Sequence, residues 1–144
     1  MSDPTRFVDD YLLYLLAAAS AAASDQFHAE VRSRGLKIPE WRVLACLDGE
    51  DGAIVTRLAK LCLFEQSRLT KTIDQMAERG LVLRRADPDD ARRVRVFLTE
   101  MGRTLASELT AAAKTHETEV LDAFAPDQAA AFKASLKELL ASLE

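Results

Sequence analysis

Glycine and proline are scarce in this chain, five and four among 144 residues. Turns and loops draw on those residues, so a loop-rich or many-stranded β protein is excluded. The two cysteines, Cys46 and Cys62, are too few for a disulfide-stapled scaffold and suit a reducing compartment. Histidine is equally rare, and no His/Cys/Asp cluster has metal-ligand spacing, so neither a metal nor another cofactor is expected. A glycine-rich phosphate loop and a serine or cysteine nucleophile with a plausible base are also missing, and the chain does not read as an enzyme. No apolar run reaches the roughly 20 residues of a membrane span. The longest, Tyr11 to Ala23, is broken only by Ser20 and has the length of a signal-peptide core. Its flank sets Asp3, Asp9 and Asp10 against Arg6, the wrong sign for export. A cytoplasmic protein with no membrane partner is expected, with this run buried at a subunit interface.

Alanine (24) and leucine (21) are abundant, which predicts a mainly helical fold because both are strong helix formers. Apolar spacings of three and four predict a helix from Phe7 to about Arg34, ended by Gly35. A second opens near Pro39 and runs to the Asp48–Gly52 turn. Two short helices follow, about Val55 to Cys62 and Gln66 to Arg79, joined by a tight turn and ended by Gly80, the layout of a helix-turn-helix. The second buries Leu69, Ile73, Met76 and Ala77. The period then changes to two. Leu81–Leu83 and Val94–Leu98 read as a two-stranded hairpin with Asp87-Pro88-Asp89-Asp90 at its tip. Thr99 can cap the next helix, which runs to Ala125, and Pro126 opens the last.

The net charge of −4 conceals an asymmetry. Between Thr56 and Phe97 there are ten bases and six acids, a net of +4, so the remainder carries −8. The excess falls on the two elements whose shapes fit DNA grooves. On the Gln66–Arg79 helix, Gln66, Ser67, Arg68, Thr70, Lys71 and Asp74 are not committed to the core. Arg pairs bidentately with guanine and Gln with adenine, while Ser and Thr reach bases or phosphates. At the hairpin tip, Arg92 and Arg93 suit a narrow minor groove. Asp87 and Asp90 are positioned to fix the loop, one of them through an ion pair with Arg92.

This order of elements resembles the MarR family of bacterial winged-helix regulators. The likeness rests on Leu58-Ala59, Gln66-Ser67-Arg68-Leu69-Thr70-Lys71, Arg79-Gly80-Leu81-Val82, Asp87-Pro88-Asp89-Asp90-Ala91-Arg92 and Val96-Phe97-Leu98-Thr99-Glu100-Met101-Gly102. It implies a winged helix-turn-helix with a two-stranded β-wing and long N- and C-terminal dimerisation helices. The chain would be one unit over 1–144, with a DNA-binding lobe at 36–98 and a helical dimerisation region at 1–35 and 99–144. The resemblance further implies a homodimeric repressor that sets two lobes on a pseudo-palindromic double-stranded operator. The helix at Gln66 would enter the major groove and Arg92 the minor groove. Family members are often released by small phenolic or aromatic ligands. Tyr11, Tyr14, His28, Trp41 and Arg42 are the candidate lining here, with Arg42 the partner for an anion. Two other readings remain: a winged-helix module that binds protein instead of DNA, and a thiol-responsive regulator using Cys46 or Cys62. The family's redox branch carries its cysteine near the start of the first helix, where this chain has only Ser20 and Ser24. Both cysteines here fall on faces expected to be buried.

Overall fold

Helices form where the apolar spacing predicts them, and the departures lie at their ends. The computed structural model describes residues 6–144, so Asp3 of the acidic flank lies outside the described residues. A 3-10 turn at Phe7–Asp10 and an extended Tyr11 precede α1 (Leu12–Ser33), which therefore begins later than expected. The lobe continues as α2 (Ile38–Gly49), β1 (Ala53–Ile54), α3 (Val55–Cys62), α4 (Gln66–Glu78), β2 (Val82–Ala86) and β3 (Val94–Leu98). Two helices follow, α5 (Glu100–Leu121) and α6 (Pro126–Ser142).

The two-stranded wing is corrected to a three-stranded antiparallel sheet in the order β1-β3-β2. Ala53 pairs with Val96 and Ile54 with Arg95, while β2 pairs with β3 from Val82–Leu98 to Ala86–Val94. A two-residue strand is too short to show alternation, which is why periodicity misses β1. Strand β2 also runs on to Ala86, because Arg84 and Arg85 continue the ladder with exposed side chains.

The lobe closes over Leu44, Leu47, Leu58, Leu69, Ile73, Met76 and Val96, all almost fully buried. Within α4, Leu69, Ile73 and Met76 are buried as predicted, Ala77 is half-buried, and Thr72 takes the remaining buried place. The Thr72 hydroxyl donates to the Arg68 carbonyl at 3.0 Å, which makes its burial tolerable. Glu40 is a buried carboxylate, only 1% exposed. It accepts the Lys37 amide at 2.7 Å and Arg79 Nη1 at 2.9 and 3.0 Å. Arg79 Nη2 donates to the Gly35 carbonyl at 2.8 Å. One ion pair thus ties the α1–α2 turn to the end of α4. Removing one partner would strand a buried charge, the costly way to break such a pair.

Strand β3 joins α5 through Thr99 and Gly102. The Thr99 hydroxyl donates to the Gly80 carbonyl at 2.6 Å and accepts the Gly102 amide at 3.0 Å, the N-cap expected from the sequence. A Cβ on Gly102 would lie 2.0 Å from the Leu81 carbonyl oxygen, so only glycine lets the first turn of α5 approach the strand.

Two compact units divide between Ala111 and Ala112, within α5. The second unit is a helical hairpin in which Phe124 and Phe132 stack at 5.7 Å and Lys133 pairs with Glu117 at 2.8 Å. Gln128 Oε1 accepts the Ala125 amide at 3.1 Å and caps α6. No helix among the described residues is long and apolar enough to cross a membrane.

Gly102→Ala is expected to destabilise the protein by about 2–4 kcal/mol, because the neighbouring atom is backbone and cannot turn aside. Gly49→Ala, where a Cβ meets nothing within 4 Å, is the control and is expected to be neutral or stabilising by up to about 1 kcal/mol. Urea denaturation of both variants measures the contrast. Equal midpoints would remove the role given to Gly102.

Candidate nucleic-acid interface

α3, the three residues after it, and α4 form the helix-turn-helix. The Phe64 amide donates to the Ala59 carbonyl at 3.0 Å, and Leu63 adopts φ +60° to make the turn. Leucine is strained in that conformation, and here it is also 82% exposed. Burying Leu69, Ile73 and Met76 on one face turns the opposite face of α4 outward. Gln66, Ser67, Arg68, Thr70, Lys71 and Asp74 are all exposed, as the sequence predicts. The Thr70 hydroxyl donates to the Gln66 carbonyl at 2.9 Å, which leaves its lone pairs free to accept. The Arg68 guanidinium sits over the Phe64 ring, 4.5 Å from its centroid. Asp74 pairs with Arg84 and so ties α4 to β2.

The tip of the wing is built by two aspartates with separate duties. Asp87 is 6% exposed and accepts the Asp89 amide at 2.8 Å and Arg95 Nη2 at 3.0 Å. Arg95 in turn donates to the Gly52 carbonyl at 2.9 Å, joining the loop before β1 to the wing. The Asp89 amide, seconded by the Arg95 charge, holds the Asp87 carboxyl below its ordinary pKa despite burial. Asp90 accepts the Arg92 amide at 3.0 Å and Arg92 Nε at 3.2 Å, with Arg93 Nε at 3.7 Å. The Arg92 hydrogen bonds hold its pKa down as well. Of the two partners the sequence allows for Arg92, the structure selects Asp90. Arg92 remains 92% exposed at its side chain, so the pair orients the arginine without hiding it.

Helix and wing enclose a cleft of about 560 Å³ lined by Ile54, Val55, Thr56, Gln66, Thr70, Ile73, Arg84, Arg92, Arg93 and Val94. It brings Gln66 and Thr70 of α4 together with both tip arginines. Ser67, Arg68 and Lys71 are on the exposed surface of α4 but do not line it. The cleft is open, and Arg84, Arg92 and Arg93 line it.

The five candidate ligand residues make separate contacts. Tyr11 stacks on Phe7 at 4.7 Å, Tyr14 is 46% exposed, and Trp41 packs on Phe27 at 5.4 Å. His28 Nδ1 lies 3.4 Å from Asp25. Arg42 turns toward the helix-turn-helix, over Phe64, with Nη1 donating to the Cys62 carbonyl at 3.3 Å. Of the thiols, Cys62 is buried as expected and Cys46 is half-buried. A hydrogen bond from Cys62 lowers the Cys46 pKa to about 7, against the effect of burial, with Arg42 assisting. The same bond, with burial, pushes Cys62 up.

Sequence reasoning missed the supports: Arg95, the Asp74–Arg84 pair and the Phe64 ring. Arg95 alternates with Val94 and Val96, but which acid it would meet depends on how the tip folds back.

A MarR family model matches residues 36–94. The crystal structure of the MarR family transcriptional regulator SPO1453 from Silicibacter pomeroyi DSS-3 is 56% identical, with a TM-score of 0.87 over 97% of this chain and 100% of that one. A second MarR family regulator from Silicibacter pomeroyi is 28% identical, with a TM-score of 0.83 over 95% and 92%. The HTH-type transcriptional repressor IacR of Pseudomonas putida is 28% identical over 94 residues, 65% of this chain and 56% of that protein. The chain spans about half the length of the curated relatives it matches.

Because the Asp87 pKa is lowered on folding, its contribution is present above the ordinary carboxylate pKa of about 4 and is lost as pH falls through the lower folded value. Amide exchange at Asp89 and Arg93 is therefore expected to stay slow from pH 7 to about pH 5 and to accelerate, relative to intrinsic rates, below about pH 4. Asp87→Asn is expected to remove that acid-induced change. A wing that loosens equally in both proteins would take this role from Asp87.

Proposed function

The chain belongs to the MarR family, and from that premise we propose that it is a homodimeric, sequence-specific regulator of transcription that binds double-stranded DNA, represses, and is relieved by a small ligand. The observation that carries the DNA reading is the cleft where Gln66 and Thr70 of α4 meet Arg92 and Arg93 of the wing. In this reading α4 enters the major groove, with Arg68 facing a base edge and Lys71 a phosphate. Arg92, oriented by Asp90, reaches the adjacent minor groove, where narrow tracts concentrate negative potential. Such a protein acts in the cytoplasm.

Dimerisation is supported by apolar side chains left in water. On α1, Leu12, Leu13, Tyr14 and Leu15 are 45–57% exposed, and on α6 Leu140 is 63% exposed. A second copy is the simplest cover for such faces and presents two reading helices to a pseudo-palindromic site, about one helical turn apart. A small aromatic or phenolic ligand beside Tyr11, Tyr14, His28 and Trp41 would relieve repression by binding better to a dimer whose lobes no longer match successive grooves.

Selection of duplexes from a random pool, followed by anisotropy titration, tests the assignment. Arg92→Ala is expected to weaken binding about tenfold or more while the dimer stays intact by sedimentation. Arg68→Ala is expected to cost about 1–3 kcal/mol and relax preference at one base pair, and Lys71→Ala to weaken all duplexes evenly. Unchanged affinity for Arg92→Ala, or identical selected motifs for the wild type and Arg68→Ala, would contradict it.

A further inference from the structure

Most arginines of the lobe are neutralised within the fold. Arg57 pairs with Glu50, Arg79 with Glu40, Arg84 with Asp74, Arg92 and Arg93 with Asp90, and Arg95 with Asp87. Arg42, Arg68 and Arg85 are different, and the first two lie together. Both of these are exposed, and neither forms an ion pair with any carboxylate among the described residues. Their guanidinium carbons lie 5.1 and 4.5 Å from the centroid of the same ring, that of Phe64. Two like charges are thus held within roughly one Debye length, about 10 Å at 0.1 M salt. The ring is only 9% exposed and is anchored by its own amide, so it cannot move to separate them. Arg42 is also fixed by its hydrogen bond to the Cys62 carbonyl at the end of α3. The π face compensates each cation in part. A fold that pairs six arginines with carboxylates, and holds these two unpaired on one ring, is arranged for an anion that arrives from outside.

We infer that Arg42, on α2 and outside the reading helix, is a further DNA-contacting residue: seated on Phe64 beside Arg68, it meets a backbone phosphate at the edge of the major groove. The inference rests on the DNA-binding reading above. A duplex backbone carries a charge every 1.7 Å or so along its axis, so an anion that reaches Arg68 on α4 also presents phosphates to its neighbour. A phosphate contact carries no sequence information, which separates the role of Arg42 from that of Arg68.

The test compares the intact wild type with Arg42→Gln and Arg42→Lys, using one duplex selected by the wild type and a shuffled duplex of equal length. Arg42→Gln is expected to weaken both duplexes by the same factor and to make the slope of log affinity against log salt shallower by about 0.9 per protomer, or roughly 1.8 per dimer. Arg42→Lys is expected to keep the wild-type slope, which excludes a packing effect. A slope unchanged in Arg42→Gln overturns the inference while leaving DNA binding in place. Wild-type binding that does not respond to salt overturns the DNA reading itself. Should Arg42→Gln keep the slope but lose its response to an aromatic acid, Arg42 is a ligand anchor and not a phosphate contact.

Discussion

Arg85 and Arg95 face each other across β2 and β3, and like charges in directly opposed positions destabilise a sheet. Asp87 folds back and neutralises Arg95. That one carboxylate also receives the Asp89 amide, and Arg95 reaches on to the Gly52 carbonyl. Tip, ladder and the loop before β1 therefore meet at one ion pair, whose carboxylate is nearly buried. With Arg95 committed inward, Arg92 and Arg93 share one carboxylate, Asp90, and a net positive charge is carried outward at the tip. The Arg92 amide is bonded to the same aspartate, so loop and side chain are fixed together.

The same division of labour runs through the lobe. Carboxylates are spent on the arginines that hold elements together: Glu40 on Arg79 at the end of α4, Asp74 on Arg84 between helix and wing, Asp51 on Arg103 at the start of α5. Among the cations of the lobe left without a carboxylate partner, Arg68 and Lys71 lie on the outward face of α4 and Arg42 joins Arg68 at Phe64. An acidic protein thereby presents a locally basic surface, and its overall charge of −4 gives no warning of it.

Much of this was legible in the chain before any coordinates. Leu69, Ile73 and Met76 at helical spacing determine which side of α4 is outward, so the exposure of Gln66, Ser67, Arg68, Thr70 and Lys71 follows from periodicity. Thr99 likewise occupies the cap position that its type suggests. What stayed hidden depends on contacts between segments distant in sequence. β1 is defined only by its pairing with β3. Arg42 reads as a helix-surface cation with a free choice of partners until α3 and Phe64 are folded against it. The partner of Arg92 could be narrowed to two aspartates, but choosing between them required the hydrogen bonds of the tip.

The central claim is that this locally basic surface binds duplex DNA. The salt dependence of wild-type affinity for a random-sequence duplex measures it most directly, since it needs no knowledge of the operator. Each phosphate neutralised contributes a slope of about −0.9, so a dimer engaging several per half-site is expected to show a slope steeper than roughly −4. Affinity that stays level as salt is raised, or binding that never rises above background at low salt, would contradict the account.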